Sequence, residues 1–479
     1  MAASETPWAN YIGGQWIKGS GQSIVVNAPA TGQAFDEIAG ASESDVGAAV
    51  EAARRAFNTR ALYDMRPHDR MLLLFRIAAE IRKLSDEIVP VLVKENGKSV
   101  GFAKDEVECT AQYFEYYGGI ADKVHGKSIP LGSGYLDYTQ LVPFGVSAQI
   151  VPWNFPLEIA ARAIAPALAC GNAVVVKSPE LSPLAMCFLA TACARAGLPA
   201  GYFNLITGYG KDAGEALVSH PGVDQVVFTG SVETGRKILR NAAEKIIPAV
   251  VELGGKSAGI VYADADTTSV ASSAAIGIFA HAGQVCSAGS RLIVHESIHD
   301  EVVEKIVTWV KGQTMGPGEE DHFFTPLISA AQRDKAERFA MIALQAGATA
   351  ATGGRRPDGL PGFYMTPTVL TGVTPAMEIN KHEVFGPVLS VLKFSDREEA
   401  LSIANGTEYG LASGVYTKDL SLAHWTADRL EAGTVFVNQW FAGGNEVPFG
   451  GFKRSGFGRE KGVEAMANYC QVRNVAVRI

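Results

Sequence analysis

Two kinds of hydrophobic patterning meet near Pro143. Before it, apolar residues recur mostly at helical spacing. Ser44 and Asp45 read as helix-start residues, and the pattern they open runs to about Arg60. A longer helical pattern covers 69–84, and more helix is expected to about Ile120. Ahead of these, 11–17 reads as a hairpin and 27–32 as a turn. Residues 131–142 alternate weakly, as an extended excursion would.

After Pro143 short, all-apolar runs take over, at 147–151, 173–176, 203–206, 226–229 and 249–253. Helical stretches lie between them, at 158–169, 183–196, 212–219 and 233–243. Apolar strands alternating with helices predict a parallel sheet covered on both faces. Ligands of such sheets bind beyond the carboxyl ends of the strands. The residues that follow each run are therefore the informative ones. They are Pro152-Trp153-Asn154-Phe155-Pro156, Lys177-Ser178-Pro179-Glu180, Gly208-Tyr209-Gly210, Gly230-Ser231 and Gly254-Gly255. A second alternation runs from Gly259 to about Gly450, with strands at 291–295, 388–394 and 434–438, and predicts a second α/β domain. The tail, 469–477, alternates like an edge strand of the kind that pairs across a subunit boundary.

Composition narrows the class. At 479 residues, with 47% hydrophobic and 19% charged residues, the chain predicts a globular protein of several domains. The net charge of −8 is spread without a basic block, so nucleic acid is not an expected partner. The first residues carry no basic segment followed by an apolar core, and no apolar run approaches the roughly 20 residues of a membrane span. Six scattered cysteines without Cys-x-x-Cys predict reduced thiols in the cytoplasm and no metal site.

One of those cysteines lies in Gly283-Gln284-Val285-Cys286-Ser287-Ala288-Gly289-Ser290-Arg291. Small and polar neighbours leave room for another molecule to approach the sulfur. Taken alone, the stretch fits an inert thiol in a small-residue loop equally well.

The rest of the chain decides between these. Pro152-Trp153-Asn154-Phe155-Pro156, Phe228-Thr229-Gly230-Ser231, Glu252-Leu253-Gly254-Gly255-Lys256, Gly283-Gln284-Val285-Cys286, Glu383-Val384-Phe385-Gly386-Pro387 and Pro448-Phe449-Gly450-Gly451-Phe452-Lys453 occur in this order. The set resembles the aldehyde dehydrogenase superfamily over essentially the whole chain. The resemblance implies an α/β fold with a Rossmann-type cofactor domain (1–121 and 143–253), a second α/β catalytic domain (254–453) and a small oligomerisation arm (122–142 and 463–479). It also implies a homodimer or homotetramer.

It further implies NAD(P)-dependent oxidation of a small-molecule aldehyde to the acid. An aldehyde must first become a tetrahedral adduct, and a thiolate makes that adduct and then a labile thioester. Cys286 matches the nucleophile. Asn154 and the Cys286 backbone N–H match the oxyanion donors. Glu252, at the end of an apolar strand, matches the base that activates water. Lys177 and Glu180 match the pair that holds the adenosine ribose, and Glu180 favours NAD over NADP. The family usually has Lys-Pro-Ser/Ala-Glu here, so the shifted Pro179 alters this loop. Ile150, Pro152, Trp153, Gly210, Phe228, Gly230, Ser231, Leu253, Glu383 and Phe385 complete the expected cofactor site. Gly230-Ser231 opens a helix that suits a pyrophosphate.

Phe155, Ile159, Arg162, Val285, Ser287 and Phe449, with Ala280 and Gly443, are expected around the aldehyde. A cation at 162 and small residues at 280 and 443 predict a wide tunnel for an aromatic or anionic aldehyde. Arg162 is then either an anchor for the anion or a helix-surface partner of Glu158. Two rivals are a coenzyme A-acylating semialdehyde dehydrogenase, against which Glu252 argues, and a non-catalytic structural or binding protein on the same fold, against which the intact Cys286, Glu252 and Asn154 argue.

Overall fold

A computed structural model describes residues 7–479; part of the N-terminal stretch read above, residues 1–6, lies outside the described residues. The helix Glu43–Asn58 starts one residue before the expected Ser44. Ser42 is its cap: the Ser42 hydroxyl accepts from Asp45 N, and the Asp45 carboxylate accepts from Ser42 N. Asp45 is thus the returning half of a capping box rather than the cap. The helices Pro67–Lys83, Ser85–Asn96 and Val100–Gly119 follow as the apolar spacing predicts.

The apolar runs after Pro143 form five parallel strands in the order Phe203–Ile206, Ala173–Lys177, Val146–Ile150, Gln225–Gly230, Ala249–Leu253. All five are buried almost throughout, which explains their largely apolar character. Two antiparallel edges extend the sheet. Asn10–Ile12 joins at Leu205, and Gly456–Phe457 joins at Val251 and Glu252. The first strand in sequence lies in the middle. Its next two neighbours are laid down on one side and the last two on the other. The order therefore reverses between Val146–Ile150 and Gln225–Gly230, and a crevice opens at their carboxyl ends.

A second sheet has the order Thr349–Thr352, Thr368–Thr371, Val388–Phe394, Arg291–His295, Ala258–Val261, Ala412–Tyr416, Thr434–Val437, parallel except for its first strand. A third, of three strands, pairs Cys470–Arg478 with Tyr135–Pro143 over nine residues and adds Ser128–Ile129. Both the weakly alternating stretch and the tail are thus strands, each supplying the other's partner. Val472 is 68% exposed on this sheet.

The expected helix at 212–219 is split. A wider turn, Gly210–Gly214, precedes a short helix, Glu215–Ser219. Among the described residues no helix is long and apolar enough to cross a membrane.

Candidate active site

The crevice at the strand-order reversal is a cleft of about 640 Å³. One wall is Pro152, Trp153 and Asn154 after the first central strand, with Thr229, Gly230 and Ser231 after its neighbour. The opposite wall comes from the second half of the chain and includes Cys286, Gln332, Lys335, Glu383 and Phe385. Glu252 and Gly254 close the floor.

Cys286 is delivered by a strained loop. His281 and Ala282 both take left-handed φ, 48° and 53°, which non-glycine residues adopt at a cost. Gly283 follows at φ +72, and a Cβ there would stand 2.3 Å from the Gly386 carbonyl oxygen. Gln284 holds the loop. Its N–H donates to the His281 carbonyl at 3.0 Å, and its Oε1 accepts from Ile328 N at 2.9 Å. Its own carbonyl accepts from Asn154 Nδ2 at 2.9 Å. That bond uses one amide hydrogen of Asn154 and leaves the second for the cleft.

The Asn154 loop is fixed from behind. Asn96 Nδ2 donates to the Trp153 carbonyl at 2.6 Å, and Lys98 Nζ donates to the Asn154 carbonyl at 2.9 Å. Lys98 is itself paired with buried Glu106, whose carboxylate accepts from Leu157 N at the start of the helix Pro156–Cys170.

Glu252 is 2% exposed and neither of its carboxylate oxygens has an aligned hydrogen bond. Burial raises its carboxyl well above the usual range. Arg162 works against that shift, and the nearby carboxylate of Glu460 works with it. Burial and the Glu252 carboxylate also push the Cys286 thiol well up, opposed by Arg162. A neutral thiol thus lies beside a carboxylate that binds protons more tightly than carboxylates ordinarily do.

Arg162 corrects both readings made from the sequence. Its Nη2 lies 3.7 Å from Glu252 and its Nε lies 2.5 Å from Glu460, and all three side chains are nearly inaccessible. It is neither the partner of Glu158 nor a free anchor for an anion. The helix Pro156–Cys170 is buried along almost its whole length, so the guanidinium turns inward to the carboxylates. Glu460 had no role in the sequence reading. The usable signal was a lone arginine on a helix apolar on nearly every side, which requires an acidic partner from elsewhere.

Lys177 Nζ lies 2.5 Å from the Glu180 carboxylate despite the shifted proline. Burial pushes the Glu180 carboxyl up, but Lys177 and the Gly210 N–H more than offset this and leave it lowered. These three expected residues are therefore together. Ile150 pairs with Phe228, and Leu253 with Gly230, in the central strands. Ser231 caps the helix Val232–Lys245.

Across the cleft Glu383 accepts from Gly255 N at 3.1 Å, and a Cβ on Gly254 would stand 2.3 Å from its carboxylate. Phe385 (φ +58) packs edge-on to Trp153 at 5.4 Å. Gln332, absent from the sequence reading, donates to the Val384 and Phe385 carbonyls at 3.1 and 2.7 Å. It and Lys335 come from the helix Ala330–Gln345, away from any strand end and without a local signature.

Of the expected substrate residues, Ile159 lines the cleft. Val285 lines a smaller adjoining pocket with Phe385. Phe155 packs on the His281 ring and the Lys98 ammonium, and Phe449 lies under the Arg162 guanidinium. The Ser287 carbonyl accepts from Trp440 Nε1 at 3.1 Å. Ala280 is buried, whereas Gly443 is exposed.

Residues 16–475 match the profile described as "Aldehyde dehydrogenase family". The chain is 41% identical over 478 residues to an aldehyde dehydrogenase of Aspergillus niger, covering 99% of this chain and 96% of that one. It is 39% identical over 472 residues to the mitochondrial benzaldehyde dehydrogenase of Antirrhinum majus, covering 98% and 88%. Among solved structures, the NAD+ complex of an aldehyde dehydrogenase from Bacillus cereus superposes with a TM-score of 0.96 at 38% identity, covering 98% of this chain and 96% of that one.

Proposed function

The chain belongs to the aldehyde dehydrogenase family, and we propose that it oxidises an aldehyde to the carboxylic acid through a thioester on Cys286, with NAD as oxidant and water as acyl acceptor. The observation that carries this reading is the convergence of Cys286, Glu252 and Asn154 on one cleft from three separate segments.

In this reading Glu252 takes the Cys286 proton, and the thiolate attacks the aldehyde carbon. The oxyanion accepts hydrogen bonds from the free Asn154 amide hydrogen and the Cys286 N–H. Glu252 later removes a proton from the water that cleaves the thioester. Its raised affinity for protons suits that task near neutral pH.

The cleft fits a dinucleotide. Gly254 leaves space that a Cβ would take from Glu383, and the N-terminus of Val232–Lys245 faces the crevice behind Gly230-Ser231. Lys177 and Glu180 would hold the adenosine ribose, Ser231 and Gly230 the pyrophosphate, and Glu383 and Phe385 the nicotinamide end. NAD, when bound, supplies the acceptor for the aldehyde hydrogen. The Bacillus cereus relative was solved as an NAD+ complex, which supports the same partner here.

The benzaldehyde dehydrogenase of Antirrhinum majus supports a ring-bearing aldehyde. Arg162 gives no support to an anionic one. The three-stranded sheet, with its exposed edge, is the surface proposed to join subunits into a homodimer or homotetramer. Six unpaired cysteines fit a reducing compartment such as the cytoplasm.

The test is NADH formation from aliphatic and aromatic aldehydes, with NADP in parallel and Cys286→Ala as control. Turnover of aromatic aldehydes with NAD, lost in the variant, is expected. Equal turnover by Cys286→Ala would overturn the mechanism.

A further inference from the structure

The helix Ala185–Arg195 begins at Leu184, whose apolar side chain offers its first N–H groups no acceptor. Glu95, next to last in the helix Ser85–Asn96, supplies two from elsewhere in the chain. Its Oε2 accepts from Leu184 N at 2.7 Å and its Oε1 from Ala185 N at 2.9 Å. Glu95 is fully buried, and its charge sits on the positive end of the helix that it caps. The segment just before that helix is the loop 177–183, which carries Lys177 and Glu180. Its near end leaves the buried strand Ala173–Lys177. Its far end is drawn back by Ser178 Oγ, which donates to the Pro183 carbonyl at 3.2 Å, and is held one residue on by Glu95 at Leu184. Gly97 (φ +83) then turns the chain, and Asn96 and Lys98 hold the Trp153 and Asn154 carbonyls. One buried stretch, 95–98, thus braces two loops of the cleft, and its first residue serves the loop that carries Lys177 and Glu180.

We propose that Glu95 is a positioning residue for the cofactor: its carboxylate fixes the loop 177–183 so that Lys177 and Glu180 meet the adenosine ribose, and its protonation loosens the loop and weakens NAD binding. This rests on the reading of Lys177 and Glu180 as the ribose pair. Both carboxylate oxygens are occupied by N–H donors. A proton on either oxygen turns a donor–acceptor contact into two hydrogens facing each other, and one of the two bonds is lost. Burial pushes the Glu95 carboxyl up to about 7; the Ala185 and Leu184 N–H groups oppose that shift, and the Glu106 charge adds to it. The other groups that face Glu95 are Lys98, which is paired with Glu106, and Cys187, whose thiol burial pushes up to about 12. Neither changes charge near neutral pH, so the titration there is that of Glu95. The brace is intact above that range and released as pH falls through it.

The test is the Kd for NAD of the full chain, read from the fluorescence of Trp153 in the cleft, above and below neutral pH. Wild-type binding should weaken about tenfold on the acid side, as one hydrogen bond to a charged group is lost. Glu95→Gln should bind about tenfold more weakly on the alkaline side and show no further acid loss of its own, while kcat at saturating NAD changes far less. Burial also pushes up the Glu383 carboxyl in the cleft, so the acid loss is read as the difference between wild type and variant. Glu95→Asp keeps the charge and should restore the acid loss with part of the affinity; it carries the test should Glu95→Gln fold poorly. Glu180→Ala is the control. An unchanged Kd in Glu180→Ala overturns the ribose reading and this proposal with it. Weakened binding there beside wild-type binding in Glu95→Gln overturns the role of Glu95 alone, as would equal losses of NAD affinity and kcat in Glu95→Gln with parallel pH curves.

Discussion

Arg162 lies 3.7 Å from the Glu252 carboxylate while its Nε is occupied by Glu460 at 2.5 Å. One buried cation thus serves two buried carboxylates, and only Glu252 faces Cys286. The net field at Glu252 depends on both neighbours, with opposite signs.

That opposition yields paired pH shifts. Arg162 lowers the Glu252 carboxyl and Glu460 raises it. A base works only when deprotonated, so activity climbs as pH rises through the Glu252 value. Arg162→Met removes the lowering charge and moves this acid limb to higher pH. Glu460→Gln removes the raising charge and moves it to lower pH. Profiles of kcat against pH for both variants check the two directions. Arg162→Met should also lose stability, by about 3–5 kcal/mol if Glu460 stays charged, because an uncompensated buried ion is left behind. Chemical denaturation measures that loss, and the double variant should recover part of it.

Asn154→Ala removes one donor to the developing oxyanion while Lys98 and Asn96 still hold the loop backbone. A fall in kcat of about 10²–10³ is expected. Alkylation of Cys286 by iodoacetamide should change much less, since that reaction builds no oxyanion. Comparable losses in both would point to a displaced thiol instead.

Gly254→Ala places its new carbon 2.3 Å from the carboxylate end of Glu383. A side-chain end can swing aside, so the melting temperature should stay nearly constant. The KM for NAD should rise about tenfold, the scale of one lost hydrogen bond to a charged group. Gly283→Ala meets the Gly386 backbone at the same 2.3 Å and cannot relax in that way. Its cost should appear as lost stability.

Val472 is 68% exposed on the outer face of the nine-residue strand pair. Val472→Asp should leave the monomer folded and shift sedimentation toward smaller species. An unchanged sedimentation profile would remove the three-stranded sheet from the proposed subunit contact.

The sequence was most legible where local chemistry was forced. Strands buried on both faces had to be apolar runs, so their carboxyl ends, and with them Asn154, Gly230 and Glu252, could be found by pattern. Pairing across the chain was not legible. Nothing near Arg162 announces Glu460, and nothing in the helix Ala330–Gln345 distinguishes Gln332 from any other polar helix residue. The capping box at Ser42 was missed by two residues because Asp45 is its inner member. The left-handed Ala282 was equally hidden, since alanine rarely adopts that conformation.

Gln284 spans both halves of the molecule with one residue: its side chain takes Ile328, and its carbonyl takes Asn154. The proposed nucleophile, Cys286, rides on one half, and the proposed base and amide donor, Glu252 and Asn154, on the other. A chain made only as far as a point between Glu252 and Cys286 carries the proposed base and donor but not the sulfur they would act on. The strained shape of the loop is held by bonds to residues outside it, Asn154 and Ile328. Gln284 is thus the keystone of a site that is complete only where the two halves meet.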